Sequence, residues 1–89
     1  MLSREGNQLQ VTGPLTLDSV TAVLKESTGL LTGVNCVDLA GVTEVDSAAV
    51  GLLLEWRRQA TNTALRFAHL PAPLVSLAEL YGVADLLPQ

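Results

Sequence analysis

At 89 residues and 9.4 kDa, the chain has material for one hydrophobic core, and a single domain over residues 1–89 is the expectation. Hydrophobic residues make up 48% and charged residues 16%, which excludes the apolar-poor, charge-rich composition of intrinsic disorder. A net charge of -4, from 5 Lys+Arg against 9 Asp+Glu, lacks the clustered cations that a nucleic-acid backbone demands, so no nucleic-acid partner is expected. The mean hydropathy of +0.38 is high, and a domain this small buries only about two thirds of the surface its unfolded chain exposes. Part of the apolar surface is therefore expected to remain outside and to face a partner.

Cys36 is the only cysteine, so no disulfide forms within the chain and a reducing, cytoplasmic setting is expected. One Cys and one His do not make a zinc site of the Cys/His type, and no metal or cofactor is expected. The start, MLSREGNQLQ, has no apolar h-region of a signal peptide. The longest apolar block, residues 48–54, falls far short of the roughly 20 residues that cross a bilayer, so direct membrane insertion is not expected.

In chain order, Leu9 and Val11 alternate with polar neighbours over residues 8–12 as in a half-buried strand, paired with residues near 2–4 and ended by Gly13-Pro14. Thr16 is placed to cap a helix reaching about residue 28, with Leu17, Val20, Val23 and Leu24 at helical spacing and Gly29 as its stop. Residues 35–39, with Cys36, Val37 and Leu39, read as a strand buried on both faces, followed by a loop over residues 40–45. Asp46 or Ser47 caps the next helix, which runs to about residue 61. Thr61-Asn62-Thr63 turns into a strand over residues 64–68, and Pro71 and Pro73 bracket a loop. A last helix over residues 74–80 carries Leu74, Leu77, Ala78 and Leu80, is closed by Gly82, and is followed by a packed tail over residues 83–87. Strands alternating with helices through short connections predict an α/β domain: a mixed sheet of about four strands, parallel at its centre, with helices packed against it.

Enzyme signatures are missing from the sequence. There is no phosphate-binding GxxxxGK[ST] loop, no GxGxxG and no GxSxG elbow. His69, followed by Leu70-Pro71, reads as a surface or capping histidine, because a general base also needs a positioned nucleophile. Cys36 reads as a small hydrophobe within its strand. No catalytic residue is expected.

Functional crevices of open α/β sheets lie beyond the carboxyl ends of the strands, which directs attention to the segment leaving residues 35–39. There Asp46-Ser47 opens a helix, and a hydroxyl at that position serves either as a plain cap or as a phospho-acceptor favoured by the positive end of the helix. At 100° per residue, Ala49, Leu53, Trp56 and Ala60 form the expected core stripe. Ser47, Gly51, Leu54 and Arg58 form another, roughly opposite, with Val50 beside it. Two readings of that second stripe stay open: packing of Val50 and Leu54 under a neighbouring loop, or a contact surface built from a glycine, an apolar knob and an arginine. The leucines of the tail read as core, with the Tyr81 hydroxyl near water.

Val37-Asp38-Leu39, followed by Val42, Val45-Asp46-Ser47 and an apolar helix, resembles the signature segment of STAS domains, the fold of anti-sigma factor antagonists and of the cytosolic tails of sulfate transporters. Val11-Thr12-Gly13-Pro14-Leu15 is similar to the strand and turn that open such domains. The ending Leu80-Tyr81-Gly82-Val83-Ala84-Asp85-Leu86-Leu87-Pro88 resembles more narrowly that of the small STAS subunits of phospholipid-transport ABC complexes in Gram-negative bacteria. The resemblance implies a non-enzymatic accessory subunit that binds and stabilises the cytoplasmic ATPase subunit, and through it the permease, at the inner face of the inner membrane. It places Ser47 at the position of the antagonists' phospho-acceptor and of the hydroxyl residue that the transporter subunits set against their ATPase; Asp46 matches the preceding aspartate. Ala48-Ala49 departs from the antagonists' small hydroxyl residue and glycine, which weakens kinase recognition and leaves a small, contactable helix start. The expected partner-binding residues are Thr43, Glu44, Asp46, Ser47, Ala48, Val50, Gly51, Leu54 and Arg58. The alternative is a stand-alone antagonist-type switch set by phosphorylation of Ser47, and a homodimer of the isolated chain through the same face stays open.

Overall fold

Gly6 adopts a left-handed conformation (φ 59°) and folds the chain back on itself, so that strand β1 (Leu2–Glu5) runs antiparallel to β2 (Gln8–Leu15). These contacts come from a computed structural model of the protein, which describes residues 2–60 and 65–87. Helix α1 (Val20–Glu26) leads to β3 (Cys36–Val45), which lies parallel to β2. Helix α2 (Ser47–Gln59) then leads to β4 (Arg66–Ala68), parallel to β3, and α3 (Ala72–Leu80) and a 3-10 turn at Ala84–Leu86 follow. The sheet order is β1-β2-β3-β4, the mixed four-stranded sheet with a parallel centre that the alternation of elements predicts. The turn expected at residues 61–63, and Ala64, lie outside the described residues.

One face of the sheet carries the core. Leu9, Val11 and Leu15 of β2, Val37 and Leu39 of β3 and Phe67 of β4 are buried in one cluster with Ala49, Leu53 and Trp56 of α2 and Leu74 and Ala78 of α3. Their strand neighbours Gln8, Gln10, Cys36, Asp38 and Arg66 point the other way and none of them is buried. The β3 segment is thus buried on one face only, not both, and Cys36 is half-buried on the open face. Trp56 anchors the core: its indole N–H donates to Ser27 Oγ at 2.8 Å, and that fully buried hydroxyl donates in turn to the Leu24 carbonyl at 2.7 Å. Both polar groups are satisfied, so burying them costs little.

Several boundaries differ from the sequence expectation. β2 does not end at Gly13-Pro14 but continues to Leu15, because β3 continues beside it to Val45 in place of the expected loop. The pairing moves from Gln10↔Asp38 to Thr12↔Gly41, and from Gly13↔Val42 to Leu15↔Val45, so β3 absorbs an extra residue at each step, the signature of a bulge. Gly41 is what lets the strands close up there: a Cβ on it would stand 2.6 Å from Thr12 Cγ2 and 3.2 Å from the Val11 carbonyl oxygen. Helix α1 starts at Val20, after a turn, and not at Thr16. Ser19 Oγ accepts the Thr16 N–H and donates to the Pro14 carbonyl, holding residues 16–19 out of the helix. Leu17 therefore loses the helical phase assumed for it and is 76% exposed. Pro73 lies in the first turn of α3 and not in a loop, a position where its missing N–H costs nothing. At the other end of α3, Val83 N–H bonds to the Ala78 carbonyl and Gly82 N–H (φ 70°) to that of Glu79, a Schellman stop. Leu80, expected in the core, is 76% exposed just before that stop, and of the tail leucines Leu87 is buried while Leu86 is exposed.

Candidate functional site

The carboxyl ends of β2 and β3 deliver the chain side by side to the starts of α1 and α2, and Asp46 ties them together. Its backbone is extended, as an N-cap requires; Oδ1 accepts the Ala48 N–H at 2.9 Å and Oδ2 accepts the Leu17 N–H at 2.9 Å. Asp46, not Ser47, is therefore the cap, and its carboxylate acts inside the chain. Ser47 is the first helical residue and is exposed. The backbone of exposed Leu17 is tied to this helix start through the Asp46 carboxylate.

Two open grooves flank this point. One, of about 260 Å³, lies between α1 and α2 and is lined by Val20, Thr21, Leu24, Ala48, Gly51, Leu52 and Glu55. A Cβ placed on Gly51 would meet nothing within 4 Å, so no internal packing of the chain requires a glycine there. The other, of about 360 Å³, lies along the last residues of β3 and is lined by Val42, Thr43, Glu44, Val45, Pro71 and Pro73.

The residues expected to bind a partner divide by burial. Thr43, Glu44, Ser47, Gly51 and Arg58 are exposed, and Asp46, Ala48 and Leu54 are half-buried. Val50 is only 4% exposed and belongs to the core, which corrects its assignment to a contact surface. The physical reason is that α2 is packed against both α1 and α3, so the buried arc spans Ala49, Val50, Leu52, Leu53 and Trp56 and is wider than one stripe. Leu54 is half-buried and packs against the edge of that core. Arg58 is ion-paired with Glu55, and Gln59 donates to the same carboxylate; the guanidinium holds the Glu55 carboxyl below its usual range.

Sequence reasoning missed Leu17, Pro71 and Pro73. The signal for Leu17 was available in Asp18-Ser19: a serine at that point competes as N-cap with Thr16 and would place Leu17 outside the helix.

His69 is exposed and adopts a left-handed conformation (φ 59°), and its Nδ1–H donates to Asp38 Oδ1 at 2.9 Å. The same oxygen accepts the Ala40 N–H at 2.9 Å. These contacts, the backbone one first, hold the Asp38 carboxyl below the ordinary carboxylate value. Among the described residues, no group of three or more His, Cys, Asp and Glu is placed to hold a metal ion, and no helix is long and apolar enough to cross a membrane.

Comparison with known proteins bears on the same elements. A family model described as Mlab, STAS domain, matches residues 1–88. No curated protein matches the chain. Among solved structures, the anti-sigma factor antagonist SpoIIAA in its unphosphorylated form is similar with a TM-score of 0.65 at 18% identity, over 98% of this chain and 84% of that one. At that identity the likeness is one of fold, and the fold agrees: a mixed four-stranded sheet with three helices. The structure of Mglu is similar with a TM-score of 0.55 at 26% identity, over 83% of this chain but 20% of that one, so the chain corresponds to a fifth of Mglu.

Proposed function

The chain belongs to the MlaB-type STAS-domain family, and on that premise we propose that it is the non-enzymatic accessory subunit of a phospholipid-transporting ABC complex, binding and stabilising the ATPase subunit. A STAS-domain regulatory or accessory role follows from the family and the fold; the transporter is the finer reading. The observation that carries it is the start of α2, where Ser47 and Leu17 are both exposed and the Asp46 carboxylate ties the Leu17 backbone to the first turn of the helix that Ser47 opens. With the backbone at Leu17 and at the helix start already tied together, less ordering entropy is lost when a protein surface closes over them. Gly51, Ala48 and Arg58 extend that surface along α2, and Thr43 and Glu44 extend it along β3. The location follows from the partner: with a net charge of -4, the chain has no electrostatic attraction of its own to anionic headgroups and reaches the inner face of the inner membrane through the ATPase.

A second reading draws on Ser47 itself. An exposed hydroxyl at the first position of a thirteen-residue helix stands where a phosphate gains from the positive end of the helix, which favours an antagonist-type switch. Against it, the added charge would stand beside the Asp46 carboxylate that already caps the helix.

Copurification from the native host separates the two. Recovery of an ABC ATPase and a permease with the tagged chain is the expected result. Recovery of an anti-sigma kinase in their place, with Ser47 phosphorylated, would overturn the transporter reading.

A further inference from the structure

β3 is ten residues long, but its two neighbours cover it unequally. β2 follows it to Val45, whereas β4 pairs with it only from Cys36 to Asp38. Beyond Asp38 the chain of β4 turns away. His69 takes its left-handed conformation immediately after Ala68, and the Asp38 carboxylate fixes that turn by accepting from His69 and, on the same oxygen, from the Ala40 N–H. Among the described residues, no backbone hydrogen bond joins residues 41–45 to the segment that follows β4. The second bulge of β3 falls between Val42 and Val45, so alternation along this stretch is irregular, but its backbone groups that face away from β2 have no backbone partner among the described residues.

The groove of about 360 Å³ lies along that side. Its far wall contains Pro71 and Pro73, and proline has no N–H to offer the edge. One wall is thus the segment of β3 that β4 leaves uncovered, and the other contains two prolines. The charged group on the lining is Glu44, which is exposed.

From this geometry we infer that the distal edge of β3 is a strand-addition site for an extended segment of a partner protein carrying a basic residue. The segment adds a strand beside residues 41–45, seats an apolar side chain against Pro71 and Pro73, and places a cation against Glu44. Charge complementarity selects this occupant over a second copy of the chain, because edge-to-edge pairing of two copies would bring two Glu44 carboxylates into one groove between molecules that each carry -4. The inference shares Thr43 and Glu44 with the proposed ATPase contact but rests on the backbone edge, so the two stand or fall separately.

The test is an amide NMR titration of the full chain with the acetylated, amidated hexapeptide TVRVTV. Two controls accompany it: the same peptide with alternate amides N-methylated, and TVEVTV. Binding is expected to shift the amides of residues 41–45 and to slow exchange of alternate ones by about tenfold or more, while the N-methylated peptide loses about tenfold or more in affinity. TVEVTV should bind several-fold more weakly, and Glu44→Gln should narrow that difference with the fold intact by circular dichroism. The inference is overturned if TVRVTV fails to bind at millimolar concentration, if the shifts fall in the α1–α2 groove, if N-methylation leaves the affinity unchanged, or if the edge is occupied by self-association. Copurification of the ATPase with no strand addition in this titration refutes the edge site and leaves the accessory role standing. Strand addition without the ATPase does the reverse.

Discussion

The carboxylate of Asp46 accepts the backbone N–H of Leu17 at 2.9 Å across 29 positions of sequence, while its second oxygen accepts the Ala48 N–H. One side chain thus caps α2 and holds the loop after β2 against it, and this relationship separates the roles of Asp46 and Ser47. Asp46→Ala removes the cap and should cost about 0.5–2 kcal/mol of stability, with a further loss of order around Leu17. Ser47→Ala removes an exposed group at the first helical position and should change stability by less than about 0.5 kcal/mol. Urea denaturation of both variants checks this, and equal losses would return the cap to Ser47.

Leu17 gives the cleaner probe of the proposed contact surface. Leu54 is half-buried against the core, so Leu54→Asp weakens the fold as well as any contact and does not isolate binding. Leu17 is 76% exposed, and Leu17→Asp should leave the urea midpoint near that of the parent while abolishing capture of the ATPase, since a charge buried in an interface without a partner is costly. Undiminished capture by a folded Leu17→Asp variant would remove Leu17 from the interface.

Gly51 offers a prediction in which stability and binding move in opposite directions. The space over it is empty in the free chain, and glycine within a helix costs about 0.5–1 kcal/mol relative to alanine. Gly51→Ala should therefore raise the stability of the isolated chain by about that amount. If a partner approaches closely at Gly51, the same methyl should weaken the complex. A variant that is both more stable and equally well captured would show that the partner leaves this position uncovered.

Much of the architecture was legible because Leu9 and Val11, and Val37 and Leu39, are apolar at alternate positions and point to the core, and Gly82 closes α3 as its position implies, whereas α1 ends at Glu26 with Ser27 as its cap, short of Gly29. The second half of β3 was not, because Gly41 reads as a turn when it is in fact the residue that lets Thr12 approach. A glycine selected for close contact and one selected for a turn look alike until the neighbouring strand is in place. Val50 was misplaced for a related reason: helical periodicity identifies an apolar arc but not how many neighbours cover it, and α2 is covered by α1, α3 and the sheet. At the candidate site, Ser47 was legible as a helix start, whereas the pairing of Asp46 with Leu17 depends on two strand ends meeting, which no local pattern encodes. The edge of β3 left without a backbone partner among the described residues depends in the same way on where β4 stops.

Asp38 makes that stopping point sensitive to acid. Its carboxyl lies below the ordinary value of 3.8, first because it accepts the Ala40 N–H and second because it accepts from His69. A carboxyl whose value is lower in the folded than in the unfolded state binds fewer protons when folded. Its stabilisation is therefore fully present above the unfolded value and is lost as the pH falls through the folded one. The stability difference between the parent and Asp38→Asn should accordingly hold from about pH 7 down to about pH 4 and close below that. Because the backbone contact is the larger cause, His69→Asn, which tolerates the left-handed conformation at that position, should reduce this acid-side change without abolishing it. Urea midpoints measured across that range in all three proteins decide the matter. If His69→Asn removes the whole effect, the imidazole and not the Ala40 N–H governs the Asp38 carboxyl. If the difference persists unchanged at the lowest pH, Asp38 does not contribute through its charge.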